Sequence, residues 1–129
     1  MTPELTVLAL GAIFQMIQIA IAGTVMNKDV GRDYNTGPRD REPEFSPLTG
    51  RLRRAVNNMF ESLALFTIAV VVVTLSGQSS GVTQGAAWIW LAARLLYFPA
   101  YGLGLSPWRS VVWAIGTIAT LVILGVSLF

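Results

Sequence analysis

The sequence has no cysteine and no histidine among its 129 residues. Without cysteine there is no disulfide and no thiolate metal site. Without histidine the commonest metal ligand and the usual general base near neutral pH are missing too. No metal is expected, and any chemistry falls to Arg, Glu, Asn, Tyr and Ser. Charge is also scarce. Asp, Glu, Lys and Arg make up 12% of the chain and hydrophobic residues 53%, whereas ordinary soluble domains carry about 25% charged residues. The charges are unevenly placed, with 13 of the 16 between Lys28 and Glu61 and only Glu4, Arg94 and Arg109 elsewhere. A soluble domain of this size needs charge over its whole surface, so this pattern excludes that class, along with a disordered chain and a coiled coil.

What is present in quantity is long apolar sequence. A membrane-spanning helix needs about 20 mostly apolar residues. Residues 5–26, 48–76, 85–103 and 107–128 each offer such a stretch. Open sheets cannot span lipid, because their edge groups stay unpaired, so these stretches are expected to be helices. The fold class is an all-α membrane protein, a single four-helix transmembrane domain covering residues 1–129. The first stretch is expected to be a retained helix rather than a signal peptide, since it carries Glu4 in place of a basic n-region and is too long for an h-region. Ser46-Pro47 and Ser106-Pro107 both read as helix starts, with serine as N-cap and proline in the first turn. The connection 27–46 is polar and alternates Asp29, Arg32, Asp33, Arg39, Asp40, Arg41, Glu42 and Glu44. It reads as a solvated surface loop, or as a cap that carries Arg32 or Arg39 to a neighbouring subunit's ligand.

Orientation follows from Lys and Arg near the spans. Seven of the nine basic residues lie between Lys28 and Arg54, and Arg109 opens the fourth span. Both places belong to one membrane side. The expectation is that the 27–46 loop is cytoplasmic, with both termini opposite.

A charge at bilayer depth costs about 2.5–3.5 kcal/mol on insertion scales and needs a partner. In the second span Arg51, Arg54, Asn58 and Glu61 fall at i, i+3, i+7 and i+10, which makes one polar stripe at about 100° per residue. In the third, Arg94, Tyr97 and Tyr101 fall at i, i+3 and i+7. One reading is structural: Glu61 pairs with Arg94, fixes helix register, and the tyrosines anchor at the interface. The other is a site for an anionic ligand, favoured by the excess of arginine over acid. Arg53 lies on a different face and reads as a headgroup contact, as do Lys28 and Arg32. Gln15 and Gln18 in the first span read as residues that hydrogen-bond at a subunit interface or close the pocket, with the interface reading preferred. Trp88, Trp90, Trp108 and Trp113 read as interfacial and packing residues.

These residues resemble the MAPEG family, the membrane-associated proteins of eicosanoid and glutathione metabolism. Arg54-Ala55-Val56-Asn57-Asn58-Met59-Phe60-Glu61 reproduces the Arg, Ala, Asn and Glu of that family's helix 2 motif. Ala93-Arg94-Leu95-Leu96-Tyr97-Phe98-Pro99-Ala100-Tyr101 is similar to its helix 3 segment. Chain length, the four spans and the polar first loop agree. The resemblance implies a homotrimer of four-helix bundles in the membrane, of bacterial type and placed in an inner membrane. It implies glutathione as co-substrate, held between subunits in the cytoplasmic half. Carried over, Arg54, Asn58, Glu61, Tyr97 and Tyr101 are glutathione contacts, with Arg51 and Arg94 joining them and Arg53 on the approach. Arg109 is the catalytic candidate, stabilising the thiolate, although it stands eight residues after Tyr101 where the leukotriene synthase pattern differs. Val56 replaces a frequent glutamine, and Ser62 stands where leukotriene synthases carry tyrosine.

The chemistry fits the residue types. Guanidinium forks bind carboxylates through two parallel bonds, Glu61 can accept the ammonium, and Asn58 can bond along the peptide. A neighbouring Arg⁺ favours thiolate over thiol. The expected activity is transfer of glutathione to lipophilic electrophiles, or reduction of hydroperoxides, reaching the site from membrane lipid; no nucleic-acid partner is expected. Two other readings stand beside it: a non-catalytic lipid-binding or scaffold member of the same fold, and a small multidrug transporter. The last relies on an acid within the first helix, which is uncharged here after Glu4, and three arginines entering the second span would repel cationic substrates.

Overall fold

Helix starts are written in side-chain hydroxyls. Thr2 accepts a hydrogen bond from the Leu5 amide, and Pro3 occupies the first turn, where an absent N–H costs nothing. Ser46 does the same for Thr49, followed by Pro47. Ser80 and Thr83 exchange bonds as a capping box. The computed structural model describes residues 1–41 and 43–129. The elements are α1 (Pro3–Val30), α2 (Arg32–Thr36), α3 (Pro47–Leu75), α4 (Gly81–Gly102) and α5 (Trp108–Leu128), with no strand among the described residues.

Several boundaries differ from those expected. The connection 27–46 is not all loop: α1 continues to Val30, and α2 lies within it. Glu42, one of its acids, lies outside the described residues. The capping box starts α4 at Gly81, four residues ahead of the apolar stretch at 85. Ser106 is not an N-cap; the Ser106–Pro107 peptide is cis, α5 begins at Trp108, and no side chain caps it. Among the described residues three helices, α1, α3 and α5, are long and apolar enough to cross a membrane. In α4 the run is interrupted by Gln84, Arg94, Tyr97, Pro99 and Tyr101.

The polarity of α1 is inverted relative to a helix in water. Its buried stripe is Glu4, Val7, Gly11, Gln15, Gln18, Ala22 and Met26, spaced three and four apart, while Ile13, Met16, Ile17, Ile19 and Ile21 point outward. A helix this apolar on its outer face is at home in hydrocarbon or against another chain. Gln15 and Gln18 therefore do not sit at a subunit surface. They are 3% and 1% exposed inside the chain's own bundle, and the Gln15 amide donates to the Val56 carbonyl at 3.0 Å.

Packing centres on Trp90 of α4. Its ring stacks on Phe66 of α3 at 3.9 Å and 6°. Gly11 lets α1 press against the same ring, since a Cβ there would stand 3.0 Å from it. A second cluster of Ala22, Leu52, Ala55, Val56, Tyr97 and Phe98 fills the other end of the bundle. α4 packs against α1, α3 and α5, most extensively against α5.

The fully buried Glu4 joins α1 to the start of α4: the Ser79 hydroxyl donates to its carboxylate at 2.6 Å and the Thr83 hydroxyl at 2.9 Å. Hydrogen bonds to charged groups contribute about 1.5–3 kcal/mol. Glu4→Ala is expected to lower the unfolding free energy of the detergent-solubilised protein by an amount in that range; an unchanged unfolding free energy would remove this tie from the account.

Candidate functional site

The polar stripe of α3 faces the C-terminal turns of α4 and the start of α5. Arg51 enters first. Its Nε donates to the Gly102 carbonyl at 2.9 Å and so satisfies one of the last carbonyls of α4. One turn on, the Arg54 Nε donates to the Tyr101 hydroxyl at 3.0 Å. The Arg109 guanidinium lies 4.6 Å from the centre of the Tyr101 ring, within the range of a cation–π contact. Tyr101 therefore sits between two guanidiniums, with Tyr97 edge-on to it at 5.7 Å. Among the described residues none of Arg51, Arg54 and Arg109 is paired with a carboxylate, so their charge is available to an incoming anion.

Arg94 plays a different part from the one expected. It is 2% exposed and lies behind the cavity rather than on its wall. It does not pair with Glu61. Its Nη1 donates to the Asn58 Oδ1 at 3.0 Å, its Nε to the Met59 sulfur at 3.3 Å, and its guanidinium lies 4.1 Å from the Tyr97 ring centre. Asn58, one turn nearer than Glu61, intercepts the guanidinium. Because arginine can only donate, the Asn58 oxygen must face it, and the Asn58 NH₂ is the part left for the cavity. Glu61 is exposed and has no ion-pair partner among the described residues.

Arg54, Asn57, Asn58, Glu61, Tyr97, Tyr101 and Arg109 enclose a hollow of about 210 Å³. It opens at one end into a hollow of about 230 Å³ lined by Arg51, Gly104, Leu105 and Ser106, sharing Arg54, Tyr101 and Arg109. At the other end Asn58 and Glu61 also line a hollow of about 210 Å³ with Ser62, Leu65, Trp113, Thr117, Thr120, Leu121 and Leu124. The three form one groove between α3, α4 and α5, cationic at the helix ends and apolar toward the middle of α5.

The structure thus brings together Arg51, Arg54, Asn58, Glu61, Tyr97, Tyr101 and Arg109, and leaves Arg94 as their support. Sequence reasoning missed Asn57, Ser62, Trp113 and Thr117. The spacing of Asn58, Ser62 and Leu65 on α3, and of Trp113, Thr117, Thr120 and Leu124 on α5, continues one face of each helix and was the available signal. The basic residues of the long connection do not join this groove. Arg39 donates to the Asn35 backbone and side-chain oxygens and, with Arg53, lines a separate hollow of about 410 Å³ between α1, α2 and α3. The Arg53 guanidinium lies 4.3 Å from the Phe45 ring centre, and Arg32 is exposed on α2.

Asn58→Leu would leave the buried Arg94 without an oxygen acceptor. Losing a hydrogen bond to a charged group is expected to cost about 1.5–3 kcal/mol. Adding Arg94→Met should recover at least half of that loss, measured as unfolding free energy in mixed micelles. Equal stabilities of the wild type and Asn58→Leu would contradict the pairing.

Two comparisons bear on identity. No curated protein matches the chain. A family model described as "MAPEG family" matches residues 4–129, nearly the whole length, including every residue of the groove. The chain is a member of the MAPEG family.

Proposed function

We propose that this protein binds glutathione in the groove between α3, α4 and α5 and delivers its thiolate to a lipophilic electrophile or hydroperoxide from the bilayer. The observation that carries this reading is the gradient along the groove. Three guanidiniums without carboxylate partners among the described residues stand at one end, an apolar wall of Leu65, Trp113, Leu121 and Leu124 at the other, and Asn58 and Glu61 where they meet. An acidic peptide suits the first end and a lipid tail the second.

Within that reading the two carboxylates of the tripeptide lie against Arg51 and Arg54, Glu61 takes the ammonium, and the Asn58 NH₂ and Tyr101 hydroxyl bond the peptide. Arg109 faces the thiol and favours its ionised form. Lowering a thiol pKa by about 2 units corresponds to about 2.7 kcal/mol of differential interaction. The thiol proton leaves to solvent, and the thiolate forms a carbon–sulfur bond as the electrophile's leaving group departs or its epoxide ring opens. With a hydroperoxide, sulfur takes the terminal oxygen, the O–O bond breaks and the alcohol leaves after gaining a proton. A second glutathione converts the sulfenic acid to disulfide and water.

The reading extends to assembly and placement. α4 crosses the membrane with the other three long helices, its polar residues turned to the groove, and three copies assemble as a homotrimer. The end carrying the 27–46 connection and the start of α5 holds eight of the nine Lys and Arg residues, and it is taken to face the cytoplasm.

Calorimetry with glutathione on the purified protein at pH 7 should give saturable binding, weakened at least tenfold in Arg54→Ala. Arg109→Ala should lower turnover of a model aryl chloride by tenfold or more and raise the apparent thiol pKa of bound glutathione, followed by thiolate absorbance. Absence of saturable binding in the wild type would overturn the reading. Binding without turnover of any electrophile would favour the non-catalytic lipid-binding alternative, which the apolar end of the groove also suits.

A further inference from the structure

Ser62 stands at the junction of the two chemistries of the groove, between Asn58 and Glu61 on one side and Leu65 and Trp113 on the other. Its oxygen is already engaged. The Trp90 Nε1–H donates to it at 3.0 Å, and Trp90 is fully buried and stacked on Phe66, so this donor is held rigidly. Indole can only donate, so the bond occupies a lone pair and leaves the serine proton uncommitted. Four hydroxyls elsewhere in these helices spend that proton on their own backbone: Thr24, Thr67, Thr120 and Ser127 each donate to the carbonyl four residues earlier, whereas the Thr74 hydroxyl, buried away from the groove, has no partner among the described residues. Among the described residues Ser62 makes no such bond, and Thr117, across the groove on α5, makes none either.

A hydroxyl whose oxygen accepts a bond becomes a better donor, because successive hydrogen bonds polarise one another. In an apolar groove such a donor gains most from an acceptor brought by a ligand, and it discriminates against ligands that leave it unpaired. We propose that Ser62 is a specificity-determining residue that selects lipophilic co-substrates bearing an acceptor oxygen, such as an epoxide, hydroperoxide or carbonyl, over halide electrophiles of similar size. Trp90 positions it. The contact is a hydrogen bond with no proton transferred. The inference rests on the glutathione reading for its catalytic meaning, but the selection itself is a property of the groove.

Two measurements separate the two claims. The first is the ratio of kcat/KM for a lipophilic epoxide to that for an aryl chloride of similar size, both with glutathione. Ser62→Ala should lower the ratio about tenfold and Ser62→Thr, which keeps the hydroxyl, should retain it. The second needs no glutathione: displacement of an environment-sensitive naphthalene dye from the groove by a long-chain ketone and by the alkane of equal length. The wild type should prefer the ketone about fivefold or more beyond their difference in micelle partition, and Ser62→Ala should lose that preference. If the wild type shows no preference, or Ser62→Ala retains it, the proposal fails whatever the outcome with glutathione. If the preference holds and turnover is absent, only the glutathione reading fails.

Discussion

A guanidinium enclosed by apolar helices must find its acceptors inside the protein, and the arrangement of the groove follows from how Arg94 does so. Its oxygen partner is Asn58 of α3, and its remaining surroundings are the Met59 sulfur and the Tyr97 ring. This contact locks α3 and α4 in one register. It also turns the Asn58 amide so that a donor faces the groove, and it leaves Glu61 without a cationic partner among the described residues. A carboxylate and an amide NH₂ are thus presented together, beside the guanidiniums of Arg54 and Arg109. The residue that holds the site takes no place on its wall.

The same economy runs along the bundle. Polar side chains are turned inward on α1, where Glu4 reaches the α4 cap and Gln15 reaches the Val56 carbonyl, while isoleucine and methionine cover the outside. In hydrocarbon an unpaired polar group is costly, and Glu4 and Gln15 answer that cost by acting as ties between helices. Trp90 combines both roles. Its ring is the centre of apolar packing, and its N–H is spent on Ser62, which places the packing core in direct contact with the groove.

Much of this was legible in the sequence because the helix repeat is regular. The i, i+3, i+7, i+10 spacing of Arg51, Arg54, Asn58 and Glu61 puts them on one face whatever the tertiary fold, and Arg94, Tyr97 and Tyr101 follow the same rule. What helical periodicity cannot give is the axial offset between two helices. An Arg94–Glu61 pair was a reasonable expectation from charge alone, yet the offset brings Asn58 opposite Arg94 instead. The apolar half of the groove depends on α3 meeting α5, two helices whose facing residues lie about fifty positions apart, and no local pattern specifies that meeting. The early start of α4 was hidden because Thr83 does the work usually associated with a glutamate in a capping box. The inward placement of Gln15 and Gln18 was missed because an amide in an apolar run is equally suited to a subunit contact until the chain's own helices are seen to cover it.

The central claim is that one continuous groove accepts an acidic peptide at its arginine end and an alkyl chain at the other. The affinities of S-alkylglutathiones of increasing chain length, measured by calorimetry and corrected for micelle partition, test it most directly. Burying a methylene contributes about 0.8 kcal/mol, so each added carbon should tighten binding by up to about fourfold until the chain fills the space beside Leu121 and Leu124, after which affinity should level off. Affinity that does not change with chain length would show that the two ends do not form one site.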